Sequence, residues 1–318
     1  MIEAELVTVS LPNGGTCRFS VDASNRDSYQ SVVAAGGSFD HTWRLTNNLL
    51  RPGSVFFDIG ANIGSYSVPA AIRGVQVHAF EMMDENIRHL TAAMSANGVN
   101  NVSIVRAAIS DSPGTTGFRA SSAWAYADDD TPGEIPKLRI DNYITTSRIG
   151  HVDLIKIDIE GSELAALKGM QKLLKRDKPD IVIESNALTC GNHNYSYREL
   201  LALLSNEGYR IFRIHSGWLS PWTKRDLQEV ICADYFASDK TNEEVARNSG
   251  WPIHSRTLFN LVSNIRMDTR QSDLHKLYAA TIALRLPMLA RWCFWFAFRR
   301  WSRLCDENTK RILRVGSE

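Results

Sequence analysis

Residues 55–64 read Val-Phe-Phe-Asp-Ile-Gly-Ala-Asn-Ile-Gly, and this stretch decides the fold that the sequence predicts. Its first three residues form a short apolar run of the kind found in buried strands, and Asp58 ends the run. Gly60 and Gly64 then bracket a tight turn, after which apolar residues recur at helical spacing. A strand that breaks at such a turn and continues as a helix presents backbone N–H groups and small residues. A polar cofactor can approach closely there.

Residues 75–81 form a second apolar strand pattern, which ends in the carboxylate of Glu81. An acid at the end of the next strand is placed to bind two ribose hydroxyls of a nucleoside. The turn lacks the Gly-x-Gly-x-x-Gly spacing of dinucleotide sites, so the pattern favours S-adenosylmethionine (SAM) over NAD. Three alternatives stay open: an NAD-linked oxidoreductase, a non-catalytic SAM-binding scaffold, and a turn whose glycines serve the fold alone.

The composition is typical of a globular protein. The chain has 318 residues, of which 44% are hydrophobic and 22% charged. A net charge of +1 gives no argument for a nucleic-acid partner. The five cysteines are scattered and odd in number, which argues against a disulfide framework and for a reducing compartment. The first residues have neither a basic region nor a long apolar core, so we expect no signal peptide and a cytoplasmic location.

Strand and helix patterns alternate from residue 55 onward. The predicted strands are 55–58, 75–81, 102–109, 152–158, 180–184, 209–214 and 230–237. Such alternation predicts an α/β fold with a mostly parallel, Rossmann-like sheet of about seven strands and helices on both faces.

Two other segments frame this alternation. Residues 5–9 and 16–21 predict an N-terminal hairpin, and residues 40–50 predict a helix after it. Residues 110–135 carry glycine, proline, serine and three consecutive aspartates, so we predict a long loop there.

The predicted organisation has three parts. They are an N-terminal hairpin and helix over residues 1–50, a central domain over 51–240, and a helical, basic and aromatic extension over 241–318.

Four acids, Asp58, Glu81, Asp158 and Glu184, lie at the carboxyl ends of predicted strands, which is the edge where parallel sheets bind ligands. Lys156 shares a strand face with Asp158. A buried ammonium requires a carboxylate partner, and Asp158 or Asp58 can provide it. A buried ion pair that only braces the sheet edge is the structural alternative.

Four motifs together resemble the FkbM-type methyltransferases, over roughly residues 50–215. They are Asp-Ile-Gly-Ala-Asn-Ile-Gly (58–64), Ala-Phe-Glu (79–81), Lys-Ile-Asp-Ile-Glu-Gly-Ser-Glu (156–163) and Ile-Val-Ile-Glu (181–184). Met82 departs from the family, which usually has proline after the glutamate. The resemblance implies the class I methyltransferase fold, SAM as cofactor, and methyl transfer to a hydroxyl of a sugar, glycan or natural product.

The resemblance also implies roles for individual residues. Residues around the methionine end of SAM would be Asp58, Gly60, Ala61, Asn62 and Gly64. Glu81 would bind the ribose, and Asp111 would lie near the adenine. Lys156, Asp158, Glu160 and Glu184 would border the methyl acceptor.

Methyl transfer to a hydroxyl requires a base for its proton. Asp158 or Glu160 is the first candidate and His193 the second, although a histidine in a loop is often only a surface residue. Glu163 is interpreted equally well as the start of a helix. The acids Asp158, Glu160 and Glu184 could instead bind Mg²⁺. Nothing in their spacing requires a metal, and the interpretation kept here has none.

The C-terminal stretch 285–314 mixes eight basic residues and two acids with several aromatics. This composition suits a peripheral membrane contact, but a helix packed on the domain or on a second subunit is the alternative. Arg285 and Arg291 interrupt the apolar run, so we predict no membrane-spanning segment. The sequence does not define the oligomeric state.

Overall fold

The computed structural model describes residues 4–22, 29–34, 39–121, 124–222 and 232–254. Met1–Ile253 form one compact unit. Except for residues 241–254, the predicted C-terminal extension and its basic, aromatic stretch lie outside the described residues. Within those residues, no helix is long and apolar enough to cross a membrane.

The N-terminal region contains the predicted hairpin and helix. Its elements are β1 (Ala4–Ser10), β2 (Thr16–Asp22), α1 (Tyr29–Ala34) and α2 (His41–Leu49). Strands β1 and β2 pair antiparallel. Helix α2 begins at Asp40, whose side chain accepts a hydrogen bond from the Trp43 N–H and so satisfies one free backbone donor of the first turn.

The first half of the main sheet alternates as predicted. Its elements are β3 (Val55–Ile59), α3 (Ser67–Ile72), β4 (Gln76–Glu81), α4 (Asp84–Asn97) and β5 (Val102–Arg106). Helix α4 ends at Gly98, whose left-handed conformation glycine adopts readily. The predicted strand 102–109 is interrupted, because Val102–Arg106 joins the main sheet and Ala108–Ile109 joins another.

The predicted loop over residues 110–135 is wrong. This region holds most of a small second sheet, built from β6 (Ala108–Ile109), β7 (Gly114–Ser121), β8 (Trp124–Asp128) and β9 (Ile135–Leu138). The glycines that suggested a loop instead allow two backbone segments to pack closely against each other. A Cβ built on Gly133 would lie 2.4 Å from Gly117 Cα, and one on Gly117 would lie 2.3 Å from the Thr131 carbonyl oxygen.

The second half of the chain completes the main sheet. Its elements are α5 (Ile140–Thr146), β10 (Leu154–Ile157), α6 (Glu163–Gly169), α7 (Gln171–Asp177), β11 (Asp180–Asn186), α8 (Ala187–Asn192), α9 (Tyr197–Asn206), β12 (Arg210–His215), β13 (Trp218–Pro221), β14 (Cys232–Ser238) and α10 (Asn242–Ser249).

Among the described residues, the main sheet has eight strands in the order β13-β12-β14-β11-β10-β3-β4-β5. Strands β11, β10, β3, β4 and β5 run parallel, whereas β14 is antiparallel and lies between β11 and β12. The prediction of a mostly parallel sheet is confirmed, and the short strand β13 adds to the predicted seven. Chain order reverses between β10 and β3, and such a switch point is where open α/β sheets bind ligands.

Two apolar cores cover the two faces of this sheet. One contains Phe56, Val77 and Val182, and the other contains Phe57, Ile155 and Ile183. Adjacent residues of one strand therefore enter opposite cores, as expected for strands buried on both sides. Helices on both faces are also confirmed.

Candidate active site

The register between β3 and β10 places Lys156 directly opposite Asp58. This pairing brings the first motif and the Lys-Ile-Asp-Ile-Glu-Gly-Ser-Glu motif together at the carboxyl edge of the sheet. Ile157 pairs with Ile183 in the same parallel register, so Asp158 and Glu184 follow at the same level on neighbouring strands.

Lys156 is buried and bonded to several groups. Its Nζ lies 3.1 Å from Asp158 Oδ2, 4.0 Å from Asp58 Oδ1 and 3.4 Å from the Gly60 carbonyl oxygen. The ammonium also lies 4.7 Å from the centre of the Tyr66 ring, a cation–π distance. The predicted carboxylate partners are thus both present, and the aromatic partner is one that the sequence did not reveal.

Asp58 has no solvent exposure, and its two oxygens differ. Oδ2 accepts a hydrogen bond from Ser67 Oγ at 2.6 Å, whereas Oδ1 has no hydrogen-bond partner among the described residues. Burial raises the pKa of Asp58, and Lys156 opposes that rise. A buried oxygen without a donor is costly, so it marks a position where a ligand that donates hydrogen bonds would fit.

The turn does not present bare N–H groups, and that part of the prediction is wrong. The amides of Gly60 and Ala61 both donate to the Phe80 carbonyl oxygen, and the amide of Gly64 donates to that of Ala61. The Asn62 N–H donates to Glu81 Oε2 at 2.8 Å, and the Asn62 side chain accepts from the next amide, that of Ile63. All five N–H groups from residue 60 to 64 are therefore engaged within the protein.

The two glycines of the turn are needed by the fold itself. Gly60 has φ of +83°, and a Cβ there would lie 1.9 Å from the Asp158 carbonyl oxygen. Gly64 has φ of +90°, and a Cβ there would lie 2.4 Å from Leu90 Cδ1. The glycines let the turn pack on the end of β10 and on α4. They are therefore no independent sign of a cofactor.

Glu81 is buried at the end of β4, and both of its oxygens accept backbone hydrogen bonds. Besides the Asn62 amide at Oε2, the Met83 N–H donates to Oε1 at 2.8 Å. Burial raises the pKa of Glu81, and these backbone hydrogen bonds oppose the rise. Glu81 is therefore held in place by the backbone of the turn and of the segment that follows β4.

The acceptor-side acids meet as predicted. Asp158, Glu160 and Glu184 each bring one carboxylate oxygen within 4.8 Å of the others. Burial, followed by the charges of Asp158 and Glu163, raises the pKa of Glu160 to about 8. This spacing would also suit a divalent ion, so the geometry does not favour the metal-free interpretation over the metal one.

Glu163 serves the local structure of this loop. Its Oε1 accepts from the Ile159 and Gly161 amides at 3.1 and 3.0 Å, and Tyr195 Oη donates to Oε2 at 2.8 Å. The first two bonds fix the backbone around Glu160, which has the left-handed φ of 54°. The helix-start interpretation of Glu163 thus describes its position, and its contacts make it an organiser of the loop.

His193 lies against the same loop. A Cβ built on Gly161 would come within 2.5 Å of His193 Cδ2, so the glycine makes room for this imidazole. Tyr126 of β8 meets the ring edge-on, with 5.7 Å between ring centres. His193 Nε2 is buried without a hydrogen-bond partner in the described part of the chain, and burial lowers the pKa of the ring.

Asp111 follows the short strand β6. The Arg139 guanidinium donates to its carbonyl oxygen at 2.8 Å, and a Cβ on Gly169 would lie 3.4 Å from its Cα. The structure therefore fixes the backbone of Asp111 against α6. Its role near an adenine stays a prediction.

The sequence did not reveal what helix α2 contributes to this edge. Thr42 Oγ1 donates to Asp234 Oδ2 at 2.5 Å, and Asp234 lies directly opposite Glu184 in the β11–β14 register. Asp40, His41 and Asp234 each bring one polar atom within 4.8 Å of the others. No local sequence pattern connects these residues, because α2 and β14 lie far apart in the chain.

SAM fits the polar groups of this edge better than a dinucleotide does. A dinucleotide pyrophosphate needs free backbone donors, and the turn amides from residue 60 to 64 are engaged. Asp58 Oδ1 accepts no hydrogen bond from the described residues, and the α-ammonium of SAM could donate one to it. The ribose hydroxyls can donate to Glu81.

The strand order, the turn after β3 and the acids at the strand ends define a Rossmann-like methyltransferase domain. Residues 58–211 match the family described as the methyltransferase FkbM domain. This match, over just under half of the chain, confirms the resemblance to FkbM-type methyltransferases that the sequence motifs predicted.

Two curated relatives show how far the similarity extends. The chain is 27% identical over 205 residues to the 31-O-demethyl-FK506 methyltransferase FkbM of Streptomyces tacrolimicus, covering 52% of this chain and 75% of the relative. A tRNA (guanine(37)-N(1))-methyltransferase of Leishmania major is 51% identical over 45 residues, which cover 14% of this chain and 6% of that protein.

A solved structure of a methyltransferase FkbM from Methylobacillus flagellatus KT is also similar. It is 22% identical, with 58% of this chain and 43% of that chain covered and a TM-score of 0.39. The strand order of this chain alone defines its fold.

Proposed function

We propose that this protein is a SAM-dependent O-methyltransferase that acts on a hydroxyl of a sugar, glycan or natural product. The observation that carries the proposal is the meeting of Asp158, Glu160 and Glu184 within 4.8 Å, beside Lys156 and the turn after Asp58. The similarity to a relative named for a 31-O-demethyl acceptor supports oxygen as the methylated atom.

When bound, SAM supplies a methyl group on a sulfonium, which is already activated for transfer. Asp58 would accept from its ammonium, Glu81 would bind the ribose, and the turn from Gly60 through Ala61 and Asn62 to Gly64 would shape the site. The buried Oδ1 of Asp58, which accepts no hydrogen bond from the described residues, supports this assignment, as does the position of Glu81 at the end of the next strand.

The acceptor-side residues would bind and align the hydroxyl. Carboxylates accept hydrogen bonds from hydroxyl groups, so Asp158, Glu160 and Glu184 suit an acceptor that is rich in hydroxyls. Correct alignment of the attacking oxygen supplies much of the rate in such reactions. Lys156 holds Asp158 in place through the 3.1 Å ion pair.

The excess of acids at this edge also bears on the acceptor's charge. Asp158, Glu184 and Asp234 would repel phosphate groups, which supports a small-molecule or glycan acceptor and argues against nucleic acid. A cytoplasmic location and peripheral membrane contact through residues 285–314 complete the proposal.

The direct test is transfer of a labelled methyl group from SAM to a panel of sugars, polyols and macrocyclic alcohols. We expect label in at least one hydroxyl-bearing product, with the label on oxygen by mass spectrometry. Addition of EDTA in a parallel sample separates a metal-assisted reaction from a metal-free one. Label on nitrogen or carbon, or binding of SAM without transfer to any member, would contradict the proposed O-methylation.

The non-catalytic scaffold is the second candidate, and the same experiment separates the two. A scaffold would bind SAM and transfer nothing, and its acceptor-side acids would tolerate substitution.

A further inference from the structure

The imidazole of His193 carries a buried polar atom without an assigned partner. Its Nε2 is buried and has no hydrogen-bond partner among the described residues. Asp158, by contrast, is paired with Lys156 at 3.1 Å, so one of its carboxylate oxygens is already engaged. Buried polar atoms without partners are rare in folded proteins, and those that occur require an explanation.

The surroundings of His193 bring it close to the acceptor-side acids. It follows α8 directly, and Gly161, the residue after Glu160, has no Cβ where the imidazole lies. With φ of +109°, Gly161 also uses a backbone conformation that other residues rarely adopt. Two features of one residue thus maintain the contact between the acid loop and His193.

Tyr126 holds the other side of the imidazole. Its ring meets that of His193 at an angle of 75°, with the centres 5.7 Å apart. Tyr126 lies on β8, in the small sheet that the sequence analysis interpreted as a loop. Edge-to-face contacts of this kind restrict ring orientation, so Tyr126 can fix the direction in which Nε2 points.

We infer that His193 is the base that takes the acceptor proton, and that Tyr126 is the positioning residue that aims its Nε2. This inference rests on the proposed function. In the reaction, the acceptor oxygen forms a bond to the methyl carbon as the sulfur–carbon bond of SAM breaks. The sulfur keeps the electron pair and becomes a neutral thioether. The hydroxyl proton moves to Nε2, and the imidazolium later releases it to water.

The two candidate bases predict rates that rise with pH through different midpoints. Burial lowers the pKa of His193 below 6.5, so its neutral form, the active base, already predominates at pH 7. The rate would then fall only as the pH drops through that lowered pKa. Were Glu160 the base, with a pKa of about 8, the rate would rise through pH 8. The charges of Asp128 and Asp129, on the side of Tyr126, favour the imidazolium and act against burial.

The first experiment follows the imidazole signals of the full chain by nitrogen NMR, with SAM present. His193→Gln assigns one signal among the eight histidines. We expect His193 to titrate below 6.5, Tyr126→Leu to move its midpoint, and Tyr126→Phe to leave it unchanged because the ring remains. A midpoint that Tyr126→Leu does not move overturns the positioning role.

The second experiment measures transfer of labelled methyl to an acceptor from the panel. We expect His193→Gln to lower kcat by about 100-fold or more, with the acceptor KM changed less than about threefold. His151→Gln is the matched control, since His151 is exposed and lies before β10. A wild-type rate in His193→Gln, or a rate that rises through pH 8, overturns the inference. Binding of SAM without any transfer overturns the proposed function instead, and the NMR result still decides the role of Tyr126.

Discussion

The cofactor-side and acceptor-side acids of this edge are held in different ways. Glu81 accepts backbone hydrogen bonds on both oxygens, and Asp58 accepts one from Ser67. The acceptor-side carboxylates Asp158 and Glu160 are more exposed, and Asp158 forms an ion pair with the Lys156 side chain. Glu81 and Asp58 are thus buried and held by hydrogen bonds, whereas the acceptor-side carboxyl groups are more accessible to a ligand.

The same contrast appears within one loop, between two glutamates three residues apart. Glu163 is buried and accepts three hydrogen bonds, two from the loop backbone and one from the Tyr195 side chain. Glu160 has a left-handed backbone and a pKa raised to about 8. Backbone strain concentrates at functional sites, so we expect Glu163 to serve the loop structure and Glu160 to serve the acceptor.

The largest expected effect is on methyl transfer after loss of an acceptor-side carboxyl group. Asp158→Asn and Glu160→Gln keep the side-chain size but lose the carboxyl group proposed to align the acceptor hydroxyl, and we expect transfer to fall about 100-fold or more. SAM affinity should stay within about twofold, because neither residue is assigned to the cofactor. Glu243→Gln, on the exposed first turn of α10, is the matched control.

Calorimetry and a labelled-methyl assay on the same samples measure both quantities. Full turnover by both variants would remove the acceptor-side acids from the chemistry. Unfolding of Asp158→Asn would favour the structural ion pair with Lys156.

A smaller effect is expected on stability when the Glu163 carboxylate, which holds the loop around Glu160, is removed. Glu163→Ala loses three hydrogen bonds and leaves the amides of Ile159 and Gly161 without an acceptor. We expect the free energy of unfolding to fall by about 2–4 kcal/mol, measured by urea denaturation. Equal stability of Glu163→Ala and wild type would show that the loop does not depend on this carboxylate.

The smallest expected effect is an increase in stability, in the variant Glu160→Gln. The folded-state pKa of Glu160 is raised from 4.5 to about 8, so folding favours its protonated form. Between these two pH values the Glu160 carboxyl group ionises in the unfolded chain but stays protonated in the folded chain. The free energy of unfolding therefore falls as the pH rises. Glu160→Gln removes this loss. We expect the variant to match wild type near pH 4 and to exceed its stability by about 1–3 kcal/mol at pH 8.

Thermal unfolding at both pH values tests this prediction. If Glu160→Gln is less stable than wild type at pH 8, Glu160 supports the fold. The two glutamates would then both serve the structure.

Strand-end acids and the Lys156–Asp58 pairing could be predicted, because strand periodicity and parallel order fix which residues share an edge. The small sheet with Tyr126 could not, because Gly117 and Gly133 suggest a loop locally and reveal their close packing only in three dimensions. The contact between Thr42 and Asp234 joins residues 192 positions apart, and no sequence window contains both. The engaged turn amides likewise depend on β4, which supplies their acceptors.

The central claim is that the edge between β3 and β10 binds SAM, and calorimetry of the full chain with SAM, NAD and NADP tests it most directly. We predict one SAM bound per chain and no binding of NAD or NADP at the same concentrations. Glu81→Gln, which keeps one acceptor oxygen for the turn, should weaken SAM binding about 10- to 100-fold without unfolding the protein. Binding of NAD as tight as that of SAM, or unchanged SAM affinity in folded Glu81→Gln, would contradict the account.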